Sequence, residues 1–149
     1  MARLRLTSRL PTYQQARHFI RIIDGVPEVA LRSIMSAIRE QRGTPKDQVD
    51  WTEPSKWIQE RLSGEDADLA HKLWTESDGG LNPRYVRSSL NLAAKNELAI
   101  IDSQGVFHKT SAGDAYIAGD LETHRRVDKS EAVDQVLLLL STRGRVQTP

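Results

Sequence analysis

Apolar residues recur at helical spacing through the early part of the chain: Tyr13, Ala16, Ile20 and Ile23 follow Pro11-Thr12, and Leu31, Ile34, Met35 and Ile38 follow Val26-Pro27. Side chains three and four positions apart share one face of a helix, so two amphipathic helices are predicted, the second ending at Gly43. Arg17, Arg21, Arg32 and Arg39 fall on the opposite faces and read as solvated. Residues 43 to 53 form a polar connector, within which Val49-Asp50-Trp51 offers a short strand. Thr52 is then expected to cap a brief helix from Glu53 to Arg61 with Trp57 inward. Ser63-Gly64-Glu65-Asp66 has the form of a capping box for a helix through Glu76, whose apolar stripe is Ala70, Leu73 and Trp74. Gly79-Gly80 stop that helix.

The next run, Asn82 to Lys109, changes period from helix to strand. Asn82 is a side-chain cap and Pro83 sits at a first helical position, where its missing N–H costs nothing. At about 100° per residue, Arg84, Arg87, Ser88, Asn91 and Lys95 share one sector while Val86, Leu90 and Ala93 point the other way. Asn96 is expected to close the helix in a left-handed conformation. Leu98-Ala99-Ile100-Ile101 and Val106-Phe107-His108-Lys109 flank the turn-forming tetrad Asp102-Ser103-Gln104-Gly105, which predicts a hairpin. Thr110 then offers a hydroxyl cap for a short helix carrying Ala115, Tyr116 and Ile117 and ending near Gly119. Helix-turn-helix followed by a hairpin is the order of a winged helix. The expected class is therefore mainly α with a small β-hairpin: a winged helix-turn-helix at residues 27 to 120, preceded by a basic arm and helix (1 to 26) and followed by a linker and C-terminal helix (121 to 149).

An exposed helix face of this kind suits duplex DNA, because guanidinium donates bidentately to guanine O6 and N7 and a carboxamide pairs with adenine N6 and N7. The candidate DNA contacts are Asn82, Arg84, Tyr85, Arg87, Ser88, Asn91 and Lys95 on the helix, Ser103 and Gln104 at the wing tip, and His108 and Lys109 on the second strand. Lys95, His108 and Lys109 suit phosphate rather than base edges.

A net charge of +1 weakens a nucleic-acid reading only if the charge is evenly spread, and it is not. Residues 1 to 46 carry nine basic against three acidic side chains, +6; residues 47 to 82 carry three against nine, −6; the remainder carries nine against eight, +1. A polarised molecule can meet an anion on one side, since each patch acts over about a Debye length. The chain has no cysteine, which excludes disulfides, thiolate zinc sites and cysteine nucleophiles and suits a reducing, cytoplasmic setting. Val136 to Leu140, the longest apolar run, is too short to span a bilayer. His18, His71, His108 and His124 show no metal-ligand spacing, and neither a nucleophile elbow nor a Gly-rich phosphate loop occurs, so no metal or cofactor is expected.

Asp50-Trp51-Thr52-Glu53-Pro54-Ser55-Lys56-Trp57-Ile58, Arg61-Leu62-Ser63-Gly64, Leu73-Trp74-Thr75-Glu76-Ser77 and Gly80-Leu81-Asn82-Pro83-Arg84-Tyr85 resemble the winged-helix region that precedes the nuclease domain in Mrr-type restriction endonucleases. The resemblance covers roughly residues 27 to 120, and the segment from Lys129 resembles the opening helix of a further repeat or linker. It implies a prokaryotic restriction context, with a DNA-recognition module, sometimes one that senses modified bases, joined to a metal-dependent PD-(D/E)xK nuclease domain in the full-length protein. The chain departs from that pattern in its chemistry: no Asp or Glu is followed two positions later by Lys, so the carboxylate and lysine of such a centre are missing. The expectation is a recognition module for double-stranded DNA, sensitive to sequence or cytosine modification and without cleavage activity of its own. The alternative is a protein-interaction or dimerisation winged helix, or a transcriptional regulator. For the dimer, Val133, Val136, Leu137 and Leu140 supply an apolar stripe that closes the domain on itself or pairs two chains.

Overall fold

The computed structural model describes residues 10–41 and 48–146. It is mainly helical with one two-stranded antiparallel sheet, in the order α1 (Tyr13–Ile23), α2 (Glu28–Glu40), α3 (Pro54–Arg61), α4 (Gly64–Glu76), a 3-10 turn (Pro83–Tyr85), α5 (Arg87–Lys95), β1 (Ala99–Ile101), β2 (Phe107–Lys109), α6 (Ser111–Ile117) and α7 (Leu121–Val146). Among the described residues no helix is long and apolar enough to cross a membrane.

Helix α1 starts on a full capping box: Gln15 N donates to Thr12 Oγ1 at 3.2 Å and Thr12 N donates back to Gln15 Oε1 at 3.0 Å. Of its predicted stripe Ala16, Ile20 and Ile23 are buried and Tyr13 is half-buried, and Phe19 and Ile22 join them, placing α1 in the middle of the main core, against α4, α5, α6 and β2. Leu31 and Ile34 of α2, Leu73 of α4, Leu92 and Ala93 of α5, Phe107 and Tyr116 belong to that core, as do Val26, Leu81, Val86, Leu98, Ala99 and Val127. A second, smaller cluster gathers Ile38, Trp57, Ile58, Leu62 and Ala70, with Trp51 and Trp74 half-buried against it. Trp57 is inward as expected; its ring meets that of Trp51 edge-on at 5.1 Å.

The hairpin forms at the predicted place, with Ala99, Ile100 and Ile101 opposite Lys109, His108 and Phe107. Its turn is held by Asp102, whose Oδ1 accepts from Gln104 N at 2.8 Å and Val106 N at 3.0 Å, and by Gly105 at φ +78°. Thr110 caps α6 as expected, accepting from Gly113 N at 3.0 Å.

Five expectations are corrected. The third strand is not Val49-Asp50-Trp51: residues 48–50 are irregular and Trp51-Thr52 form a turn. The hairpin is instead flanked by the α1–α2 connector, where Gly25 N donates to Phe107 O (2.8 Å), Phe107 N to Val26 O (2.9 Å) and Glu28 N to Gly105 O (2.7 Å), with Pro27 opposite Val106. Proline fits there because the missing donor is not called on. Thr52 does not cap α3; its hydroxyl donates to Asp50 Oδ1, and Glu53 takes the cap position without a side-chain bond. Ser63 occupies the cap position of α4 but makes no capping bond, and the Asp66 carboxylate instead accepts from Ser33. The helix expected from Pro83 is interrupted: Asn82 caps a single 3-10 turn, and α5 begins only after the buried Val86. Finally, Asn96 is not left-handed (φ −92°); Glu97 is, at φ +55°. The buried Asn96 carboxamide donates to Leu92 O (2.9 Å) and to Glu131 Oε1 (3.0 Å). Tying off the last turn of α5 and gripping α7 leaves it no reason to leave the helical region.

Helix α7 docks through Val127, which is buried, and through an aromatic group in which the His124 and Tyr116 rings stack at 4.4 Å with Tyr13 edge-on to both. Burial pushes the Tyr116 phenol up to about 12. Leu140 of the expected C-terminal stripe is exposed. The side chains of Val133, Val136 and Leu137, like Gly43 and the basic arm before Leu10, lie outside the described residues.

Candidate nucleic-acid interface

The core-facing side of α5 fixes which residues face out. Ser89, Leu92 and Ala93 are buried and Leu90 is half-buried, so Arg87, Asn91 and Lys95 emerge on the far side, with Ser88 half-buried at its margin. The predicted polar face therefore exists on α5, though Arg84 and Tyr85 are set apart from it on the preceding turn.

That turn is built by Asn82, which uses both ends of its carboxamide. Oδ1 accepts from Arg84 N at 3.1 Å and Nδ2 donates to Trp51 O at 2.7 Å, so Asn82 anchors the loop to the α2–α3 connector. With its backbone so held, the Arg84 guanidinium lies over the Trp51 indole, 3.8 Å from the ring centroid, and 5.8 Å from the Tyr85 ring. A guanidinium stacked on an aromatic face keeps its N–H edge available for a planar or tetrahedral anion. Tyr85 is 60% exposed.

Several predicted contacts already have acidic neighbours. Lys95 Nζ is 3.4 Å from Glu131 Oε1. His108 Nε2 is 2.6 Å from Asp102 Oδ2, and Lys109 Nζ is 2.8 Å from Asp114 Oδ1. The Val106 amide, followed by the His108 hydrogen bond, holds the Asp102 carboxyl below the usual carboxylate range, and the hydrogen bond to Asp114 raises the Lys109 ammonium. His108 and Lys109 thus brace the hairpin against its own turn and against α6. Ser103 and Gln104 are exposed at the tip.

Two of the predicted arginines meet in one place. Arg84 and Arg87 border a groove of about 510 Å³ together with Arg39, Trp51, Met35 and Ile38, between the C-terminal half of α2 and the 3-10 turn. None of the described residues lining it is acidic. Arg39 and Trp51 were not among the site residues legible in the sequence. Arg39 sits on the polar face of an amphipathic helix, like any solvated arginine, and Trp51 lies in a connector whose path periodicity does not fix. Among the described residues no group of His, Asp or Glu could hold a metal ion. No family model, curated protein or solved structure matches the chain.

Proposed function

We propose that the chain is a duplex-DNA recognition module of winged-helix type, with α5 in the major groove and the Asp102–Gly105 turn as the wing tip. The reading rests on one arrangement: α5 follows α4 across an Asn-anchored turn, presents Arg87 and Asn91 outward, and runs directly into a hairpin braced by backbone bonds with Gly25, Val26 and Glu28. Base reading falls to Arg87 and Asn91. Arg84 and Tyr85 serve the flanking backbone, Ser103 and Gln104 the strand beneath the wing, and Lys95 a phosphate that it reaches by leaving Glu131. Asn82, His108 and Lys109 contribute by holding the turn and the hairpin in shape. The restriction context implied by the resemblance fits a module whose catalysis is supplied by a separate nuclease domain, with cytosine modification among the features it senses.

Titration of fluorescent duplexes, with methylated and unmethylated cytosine and at two salt concentrations, tests this. Arg87→Ala and Asn91→Ala are each expected to cost about 1–3 kcal/mol and to relax preference at one base pair, while Lys95→Ala weakens all duplexes alike. Unchanged affinity in all three variants removes α5 from the interface. A protein-interaction reading draws on a different observation: Ile100 and Ile101 of β1 are 52% and 43% exposed. It gains if no duplex binds and light scattering reports self-association that Ile100→Thr abolishes.

A further inference from the structure

We propose that the groove between α2 and the 3-10 turn is a site for one unpaired nucleotide, adjoining the outer face of α5 at Arg87. The duplex-binding reading enters only in naming DNA as the source of that nucleotide. Three features specify the ligand. First, Arg39, Arg84 and Arg87 border the groove and none of the described residues lining it is acidic, so it favours an anion with several oxygens, as a phosphate has. Secondly, Trp51 and the Arg84 guanidinium 3.8 Å above its ring form a preassembled planar stack, a surface on which a nucleobase gains energy whatever its identity. Thirdly, Met35 and Ile38 give the groove an apolar part, so a bare inorganic anion would leave half of it unused.

Size narrows the choice. About 510 Å³ falls in the range of roughly 300–1,000 Å³ that suits a single small ligand, too small for a base pair with its two backbones. A paired base would have to leave its helix first, at a cost that a bulge, gap or overhang avoids. Arg87 belongs both to this groove and to the outer face of α5, so a nucleotide held here is continuous with a duplex lying along that helix. Trp51 is positioned from behind by its edge-on contact with the buried Trp57 and by Asn82, whose Nδ2 donates to Trp51 O. The stack is therefore part of the folded scaffold, not an arrangement a ligand must assemble.

The test compares a blunt duplex with the same duplex carrying one bulged nucleotide, and adds dAMP and inorganic phosphate as separate probes read by the Trp51 indole NMR signal. The bulged duplex is expected to bind about tenfold more tightly than the blunt one, the effect of one stacked base. Arg39→Gln, which alters an exposed side chain, and Trp51→Leu, checked for folding by thermal melting, bring that ratio to about one. dAMP shifts the indole signal and phosphate alone does so only weakly. If dAMP shifts the signal while no duplex binds, the groove stands and the duplex reading falls. A ratio of one in the unaltered protein with no response to dAMP overturns the groove and leaves blunt-duplex binding intact. Equal responses to dAMP and phosphate overturn the nucleotide in favour of a simple anion site.

Discussion

Gly113 in α6 is the position where one methyl group tests the packing behind the hairpin. A Cβ built there lies 2.1 Å from Leu98 O, where ordinary van der Waals contact begins near 3.4 Å, and 3.5 Å from Ile20 Cγ2. Leu98 O cannot simply retreat, because it accepts from Thr110 N at 3.0 Å and belongs to the buried residue immediately before β1. Nor can Gly113 move freely, since its own N–H donates to Thr110 Oγ1 at 3.0 Å. For Gly113→Ala, helix preference favours alanine by about 1 kcal/mol. Against it stand overpacking of a rigid contact at about 3 kcal/mol and the weakening of those two hydrogen bonds at about 1 kcal/mol each. The balance is a loss of about 4 kcal/mol, a large part of the ~5–15 kcal/mol that a domain possesses. At roughly 2–4 °C per kcal/mol, Tm falls by about 8–16 °C. Gly105→Ala is the informative control. Its φ of +78° makes alanine strained, at about 1–2 kcal/mol, yet its Cβ would meet nothing within 4 Å. Differential scanning calorimetry of the two variants should therefore rank Gly113→Ala as the more damaging. A Gly113→Ala protein as stable as the parent, or Gly105→Ala the worse of the two, would refute the close approach of α6 to Leu98.

Two further perturbations probe how the interface is held. Asn96→Ala removes the carboxamide bonds to Leu92 O and Glu131, which keep the residue-96 N–H and Lys95 Nζ as donors, and should cost about 1–3 kcal/mol in urea unfolding; hydrogen exchange should also quicken in α7 around Glu131, and an unchanged α7 would mean the bond is idle. Asp102 titrates below its ordinary value in the fold, so its stabilisation is complete above the ordinary carboxylate pKa and disappears as pH falls through the lowered one. The stability gap between the parent and Asp102→Ala should accordingly be largest near neutrality and close in strong acid, whereas a gap that persists there assigns the loss to something other than the charged carboxylate.

The parts of the fold that were legible are those whose information is local. Thr110 caps α6 with its own hydroxyl three residues ahead of Gly113, and Asp102 with Gly105 contains both the side-chain acceptor and the left-handed backbone that the hairpin turn requires. The break before α5 was not legible, because Asn-Pro opens a 3-10 turn and an α-helix with the same signals. What ends the turn is tertiary: burial of Val86 and the hold of Asn82 and Arg84 on Trp51, a residue 31 positions before Asn82. The third edge of the hairpin escaped for a related reason. A single bridge at Pro27 has no alternation to detect, while Val49-Asp50-Trp51, which does look β-prone, is drawn away to the second apolar cluster, where Val49 and Trp51 pack.

The same contrast explains why a near-neutral chain is a reasonable candidate for an anionic ligand. Charge acts here over about a Debye length, roughly 8 Å at physiological salt, so the total of +1 matters less than which side chains share a surface. Folding brings Arg39, from the segment that carries +6, to the same groove as Arg84 and Arg87, while Lys95, His108 and Lys109 are each set against a carboxylate. Cations that looked equivalent along the sequence therefore divide into two kinds. Those with acid partners stabilise the hairpin and the α5–α7 contact and must break a bond before they can meet a phosphate; those in the groove have no acidic residue among the described residues that line it. On the proposed DNA-binding reading, affinity should fall with salt with a slope set by the groove arginines, and removing Arg39 should flatten that slope more than removing Lys109.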